Sequence, residues 1–129
     1  PLRKGDGDEG WTRVNRQAAE RQGRHGETAA AWWLRLHGWR IVGRRVKTGR
    51  GEVDLIARRS RTLAFVEVKT RGTQEALDLA IDEQRLRRVV AAAHALLPRY
   101  GSGAEEVRID VILLRPWRLP IHLRNVWHG

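Results

Sequence analysis

Two short segments carry acids and a lysine at spacings that could do chemistry: Gly51-Glu52-Val53-Asp54-Leu55-Ile56-Ala57 and Phe65-Val66-Glu67-Val68-Lys69. Side chains alternate faces along a strand, so Glu67 and Lys69 point one way while Val66 and Val68 point the other. A strand that buries the two valines therefore presents a carboxylate and an ammonium together. Pairing of the two segments through the turn Arg59-Ser60-Arg61-Thr62 would bring Asp54 near Glu67. Two carboxylates beside a lysine suit phosphodiester hydrolysis. Mg²⁺ or Mn²⁺ takes oxygen ligands and Mg²⁺ keeps several waters, so Asp54, Glu67 and the carbonyl of Val68 would suffice to hold it. Such an ion polarises a phosphate and lowers the pKa of a bound water. Lys69 would position or deprotonate that water, or stabilise charge growing on the phosphoryl group. The competing reading is a surface strand with an i, i+2 salt pair, worth roughly 0–1 kcal/mol.

The elements that must position these residues follow from periodicity. An Ala-rich, Pro-free run from Asn15 to His37 reads as a helix, weakened by Gly23 and Gly26 and stopped by Gly38. Three β-like runs follow, Arg40 to Lys47, Glu52 to Arg58 and Leu63 to Thr70, joined by four-residue links of hairpin length. Glu75 to Tyr100 repeats Leu79, Leu86, Val90, Ala93 and Leu97 at helical spacing, with Pro98 and Gly101 helping to end it. Val107 to Leu114 is an apolar strand, and Ile121 to Val126 a shorter one. The order α-β-β-β-α-β-β predicts an α/β domain. Its three-strand meander leads to a helix whose return strand pairs in parallel, giving a mixed central sheet flanked by helices. Residues 1–12 are Gly- and charge-rich and read as a mobile basic tail, leaving residues 13–129 as a single domain.

Composition narrows the partners. The 129-residue chain has a formal net charge of +10, almost all of it from Arg, since the lysines are Lys4, Lys47 and Lys69 alone. A polyanion is the simplest partner, and nucleic acid the commonest one; a solvated Arg-rich surface is the bland alternative. With no cysteine, disulfides and thiolate metal sites are excluded. No apolar run approaches the ~20 residues that span a bilayer, and the start lacks the order of a signal peptide. A cytoplasmic location is the expectation.

The segment beginning Gly26-Glu27, the GEVDLIA run at 51–57 and the FVEVKTR run at 65–71 together resemble the YraN-like family. That family looks like a branch of the restriction-endonuclease-like PD-(D/E)xK nucleases and is similar in pattern to archaeal Holliday-junction resolvases. The similarity runs from about Arg24 to Val126. It implies a restriction-endonuclease-like fold and a metal-dependent DNA endonuclease, acting on branched or damaged DNA. It also implies Asp54, Glu67 and Lys69 as the catalytic triad, with Glu27 as a further acidic member, and a homodimer, because cutting paired strands calls for two sites. Val53 stands where the superfamily name places Pro, Arg45 where an Asn is expected, and the stretch from Gly72 to Glu83 is shortened. The alternative function is a non-catalytic nucleic-acid-binding protein that retains the nuclease fold. A third is an adaptor for RNA or an acidic protein, which leaves the convergent acids unexplained.

Glu27 shares a helical stripe with Ala30, Ala31 and Leu34, so it is either near the metal, ion-paired with an Arg, or exposed at the helix start. Arg50, Arg71, Arg85 and Arg88 are the candidate phosphate contacts, the last two sharing a helix face at i, i+3. Asp110, inside an apolar strand, reads as a structural hydrogen-bonding acid rather than a third ligand. Trp32, Trp33 and Trp39 are expected to pack helix on sheet, and Trp117 and Trp127 to make core or dimer contacts. The five histidines lack zinc spacing, and no phosphate-cradling loop or nucleophile elbow is present.

Overall fold

A computed structural model describes residues 26–70 and 83–127. Helix α1 covers residues 26–36 within that range. It is followed by strands β1 (Arg40–Thr48), β2 (Gly51–Arg59) and β3 (Thr62–Thr70), helix α2 (Glu83–Tyr100), and strands β4 (Glu106–Leu114) and β5 (Ile121–Leu123). The five strands lie in one sheet in sequence order. Pairing is antiparallel except between β3 and β4, which run in parallel with Lys69 beside Leu113. The expected α-β-β-β-α-β-β order and mixed sheet are those observed. The expected helical residues 15–25 and 75–82, and the tail at 1–12, lie outside the described residues.

Period-two patterning explains why the sheet is covered on both sides. Ile56, Leu63, Phe65, Ile109, Val111 and Leu113 pack against Leu86, Val89, Ala93 and Leu96 of α2. Leu55, Ala57, Ala64, Val66 and Ile112 instead pack against Ala30, Ala31 and Leu34 of α1. Full burial of a side chain such as Phe65 or Ile112 contributes about 1.5–3 kcal/mol.

Three local expectations are corrected. Pro98 does not help to end α2, which continues through it to Tyr100. Pro98 and His94 are both exposed there, so the one helical hydrogen bond that Pro removes leaves its carbonyl facing water. The last strand stops at Leu123 rather than Val126. Asn125 takes a left-handed φ of 51° and donates its N–H to Asp110 Oδ1 at 2.9 Å, turning the chain out of the sheet direction. Trp32 does not pack on the sheet, being 58% exposed beneath the Arg35 guanidinium, whereas Trp39 is buried and Trp33 half-buried.

Candidate active site

The β2–β3 ladder runs from Arg59↔Thr62 to Leu55↔Val66 and is registered no further. The next pair across the strands would be Asp54 and Glu67. There Asp54 Oδ2 accepts the N–H of Val68 at 2.8 Å, so a side chain replaces a strand carbonyl as the partner of that amide. Alternation also breaks here, because Val53 joins the α2 cluster although Leu55, two residues on, joins the α1 cluster. The opening between β2 and β3 is a cavity of about 310 Å³ lined by Gly51, Glu52, Asp54, Glu67, Arg85, Arg88 and Val89. Two strands and a helix thus bring both acids and two of the nominated arginines to one wall.

Gly51 makes that convergence tight. A Cβ at this position would lie 2.7 Å from the carbonyl oxygen of Arg88, so β2 begins in direct contact with the α2 backbone. Lys69 is buried with 8% exposure and its Nζ is ion-paired with Glu67 Oε1. The acid and the ammonium share a strand face, as the i, i+2 spacing predicts.

Burial is the first influence on the acids here, and their mutual repulsion adds to it. Burial holds the Asp54 carboxyl above its ordinary value, the Val68 N–H opposes that, and the charge of Glu67 raises it again. Glu27 is also raised, first by burial and then by Asp54, while Arg45 and Arg44 pull it down. Its Oε1 lies 3.5 Å from Arg45 Nε, and it is 7% exposed. Glu27 is therefore a buried acid paired with an Arg, within electrostatic reach of Asp54 but not on the cavity wall. Arg45 itself has a left-handed φ of 49°. Asn adopts that conformation at lower cost than Arg, so the amide expected at this position has a backbone reason.

Among the described residues no three or more His, Asp or Glu side chains are grouped to hold a metal ion. The candidate donors are two carboxylates, Asp54 and Glu67, with the Val68 carbonyl expected as a third. Such a sparse oxygen set fits a Mg²⁺ ion that keeps most of its waters, and does not fit a closed zinc cage. Burial, and after it the charge of Glu67, holds the Asp54 carboxyl up, and a bound cation would relieve both, which makes the fit chemically sensible.

Arg50 is exposed in the β1–β2 turn, next to Gly51 of the cavity wall but not itself on it. Arg71 lies outside the described residues. Asp110 is fully buried and accepts from His122 Nε2 at 2.8 Å, Arg108 Nη2 at 2.9 Å and the Asn125 amide. These bonds outweigh its burial and hold its carboxyl below the ordinary value. It is structural, as expected. Trp127 packs partly buried against the α2 cluster, but Trp117 is fully exposed, contrary to a core role. Sequence reasoning does not single out Glu52, although its i, i+2 spacing from Asp54 is signal enough. Arg45 stands out in the sequence only as a departure, since its pairing with Glu27 joins two separate elements.

The α-β-β-β-α-β-β order and the mixed five-stranded sheet are those of a restriction-endonuclease-like fold. The structure of Hjc from Archaeoglobus fulgidus, described as a Holliday junction resolvase, matches with a TM-score of 0.54 and 20% identity, over 76% of this chain and 72% of that one. Residues 26–114 match the Uncharacterised protein family UPF0102, the YraN-like family, and the chain belongs to it. UPF0102 proteins of Rhizorhabdus wittichii and Sphingopyxis alaskensis are 79% and 60% identical over 114 residues, which is 88% of this chain and 97% and 98% of theirs.

Proposed function

We propose that the protein is a Mg²⁺- or Mn²⁺-dependent DNA endonuclease whose active site is built on Asp54, Glu67 and Lys69. One observation carries this reading: Asp54 and Glu67 share a cavity wall at the point where β2 and β3 part, with Lys69 paired to Glu67 beside them. Asp54, Glu67 and the Val68 carbonyl would hold the cation, which when bound supplies polarisation of the phosphate and a more acidic water. The residues themselves do the positioning. The Val68 amide fixes one Asp54 oxygen, leaving the other for the cavity. Lys69 holds a compact cation where charge develops on the phosphoryl oxygens, so Lys69→Arg is not conservative. Arg85 and Arg88, exposed on α2 at the cavity, would grip the flanking phosphates with planar donor forks. Arg50 in the β1–β2 turn is a further candidate phosphate contact, and so is Arg71 by its place in the sequence two residues after Lys69. Glu27 would act at one remove, through the field it shares with Asp54 and Arg45. The Holliday-junction resolvase neighbour favours a branched substrate and a homodimer that offers two sites to paired strands. Lack of cysteine is consistent with a cytoplasmic protein.

The test is single-turnover incubation with linear, flapped and four-way DNA in Mg²⁺ or Mn²⁺. Asp54→Ala and Lys69→Ala should each slow cleavage by about a hundredfold or more, the scale of losing one electrostatic stabiliser. Cleavage that survives both substitutions defeats the proposal.

A second reading, a nucleic-acid-binding protein that keeps the fold without cutting, is favoured by one observation. Glu67 and Glu27 already have cationic partners in Lys69 and Arg45. It calls for salt-dependent binding with a log–log slope of about −0.9 per phosphate contact and no cleavage under any metal. Joint Arg85→Ala and Arg88→Ala substitution should make that slope shallower by about 1.8 under either reading.

A further inference from the structure

The loop from Arg115 to Pro120 joins β4 to β5 and holds the most exposed large hydrophobic side chain among the described residues. Trp117 is 102% exposed, and Leu119 beside it 75%. The loop is shaped rather than slack. The Arg118 N–H reaches the Arg115 carbonyl at 3.5 Å, Pro116 occupies the second turn position, and Trp117 takes the third with φ of 60°. That is the pattern of a type II turn, whose third position favours Gly because φ is positive there. Arg115 Nη2 also donates to the Leu119 carbonyl at 3.3 Å, closing the loop across its base. Pro116 and Pro120 restrict φ at both ends. A large indole thus occupies a strained position where Gly costs least, and no packing against the described residues offsets the strain.

Its surroundings point to one kind of occupant. Arg118 is exposed and Arg115 half-buried, flanking the indole with positive charge on a chain of net charge +10. β4 runs parallel to β3 with Leu114 beside Thr70, so this loop leaves the sheet at the end where Lys69 and Thr70 lie. The Cα of Trp117, three residues past Leu114, is at most about 11 Å from it. Stacked nucleotides repeat at about 3.4 Å along a strand. The indole is thus a few nucleotides' reach from a strand held at the sheet end. Aromatic faces stack on unpaired bases with little sequence preference, and neighbouring cations hold the backbone.

We infer that Trp117, with Arg115 and Arg118, is a base-stacking contact that recognises unpaired nucleotides at a junction, bubble or flap. This deepens the nucleic-acid reading above and rests on it, but does not depend on cleavage.

The test is therefore a binding measurement in EDTA. Anisotropy is followed with a labelled duplex and with the same duplex carrying a short unpaired bubble, for the full chain and for Trp117→Gly and Trp117→Phe. Trp117→Gly relieves the positive φ and should fold at least as well, which a thermal melt checks. Its bubble affinity should fall between about fivefold and a hundredfold with duplex affinity almost unchanged, and Trp117→Phe should recover much of the loss. Equal bubble affinity for wild type and Trp117→Gly overturns the inference. So does loss of binding to phosphatidylglycerol vesicles in place of bubble DNA, which would mark a membrane contact. Failure here leaves metal-dependent cleavage by Asp54 and Lys69 untouched, and loss of cleavage leaves this result untouched.

Discussion

Replacing Lys69 with Met probes whether the convergent acids form a working charge site. The Lys69 and Glu67 side chains are 9% and 11% exposed and ion-paired, with Asp54 on the same cavity wall as Glu67. Removing the ammonium leaves Glu67 nearly buried, without its cation and facing a second carboxylate. Breaking a buried pair from one side costs about 3–5 kcal/mol, far above the roughly 0–1 kcal/mol of an exposed pair. For a domain of this size, 1 kcal/mol moves the melting temperature by about 3–5 °C, so Lys69→Met should melt about 10–25 °C lower in EDTA. Glu67→Gln combined with Lys69→Met removes both charges and should recover most of that loss, because the penalty lies in the unpaired acid. Added Mg²⁺ should raise the melting temperature of Lys69→Met more than that of the wild type, since the cation takes over the neutralising role. At a hundred times its dissociation constant the gain is about 2.7 kcal/mol. The assay is calorimetry or fluorescence melting of the three proteins with and without the ion. A Lys69→Met protein that melts within a degree or two of wild type would show an ordinary surface pair. A double variant no more stable than the single one would show that unpaired acidity is not the cause.

The two perturbed aspartates give opposite pH responses. The folded-state pKa of Asp54 is raised, so its ionisation opposes folding, and that opposition grows as pH rises from the ordinary Asp range through the folded value. Asp54→Asn, whose carbonyl can still accept the Val68 N–H, should therefore raise the metal-free melting temperature near neutral pH while abolishing cleavage. An unchanged or lower melting temperature there counts against the buried-charge account. The pKa of Asp110 is depressed, so its contribution is present above the ordinary Asp range and lost as pH falls through the folded value. Asp110→Ala strands Arg108, His122 and the Asn125 amide and should cost about 3–5 kcal/mol at neutral pH, with the gap to wild type narrowing in acid. Equal melting at neutral pH would contradict that network.

Much of this protein is legible in one dimension, and the reason is local. Alternation along β3 puts Glu67 and Lys69 on one face whatever the fold, because strand geometry leaves them no other choice. The repeated apolar residues of α2, the hairpin-length links and the parallel return to β4 likewise follow from periodicity and connection length. Helix continuation through Pro98 and the early end of β5 are not legible, since solvent exposure in one case and the Asp110 carboxylate in the other override local preference.

Tertiary structure decides which charges meet. Nothing in the residue order says that β2 and β3 separate just at Asp54, that Gly51 lets α2 press its Arg88 backbone onto the strand, or that Arg45 reaches back to Glu27. Strand and helix periods fix which way a side chain points relative to its own neighbours. They carry no information on what another element brings opposite it. That is set by how closely α1, α2 and the sheet can pack, and by which buried acids find a cation once they have done so.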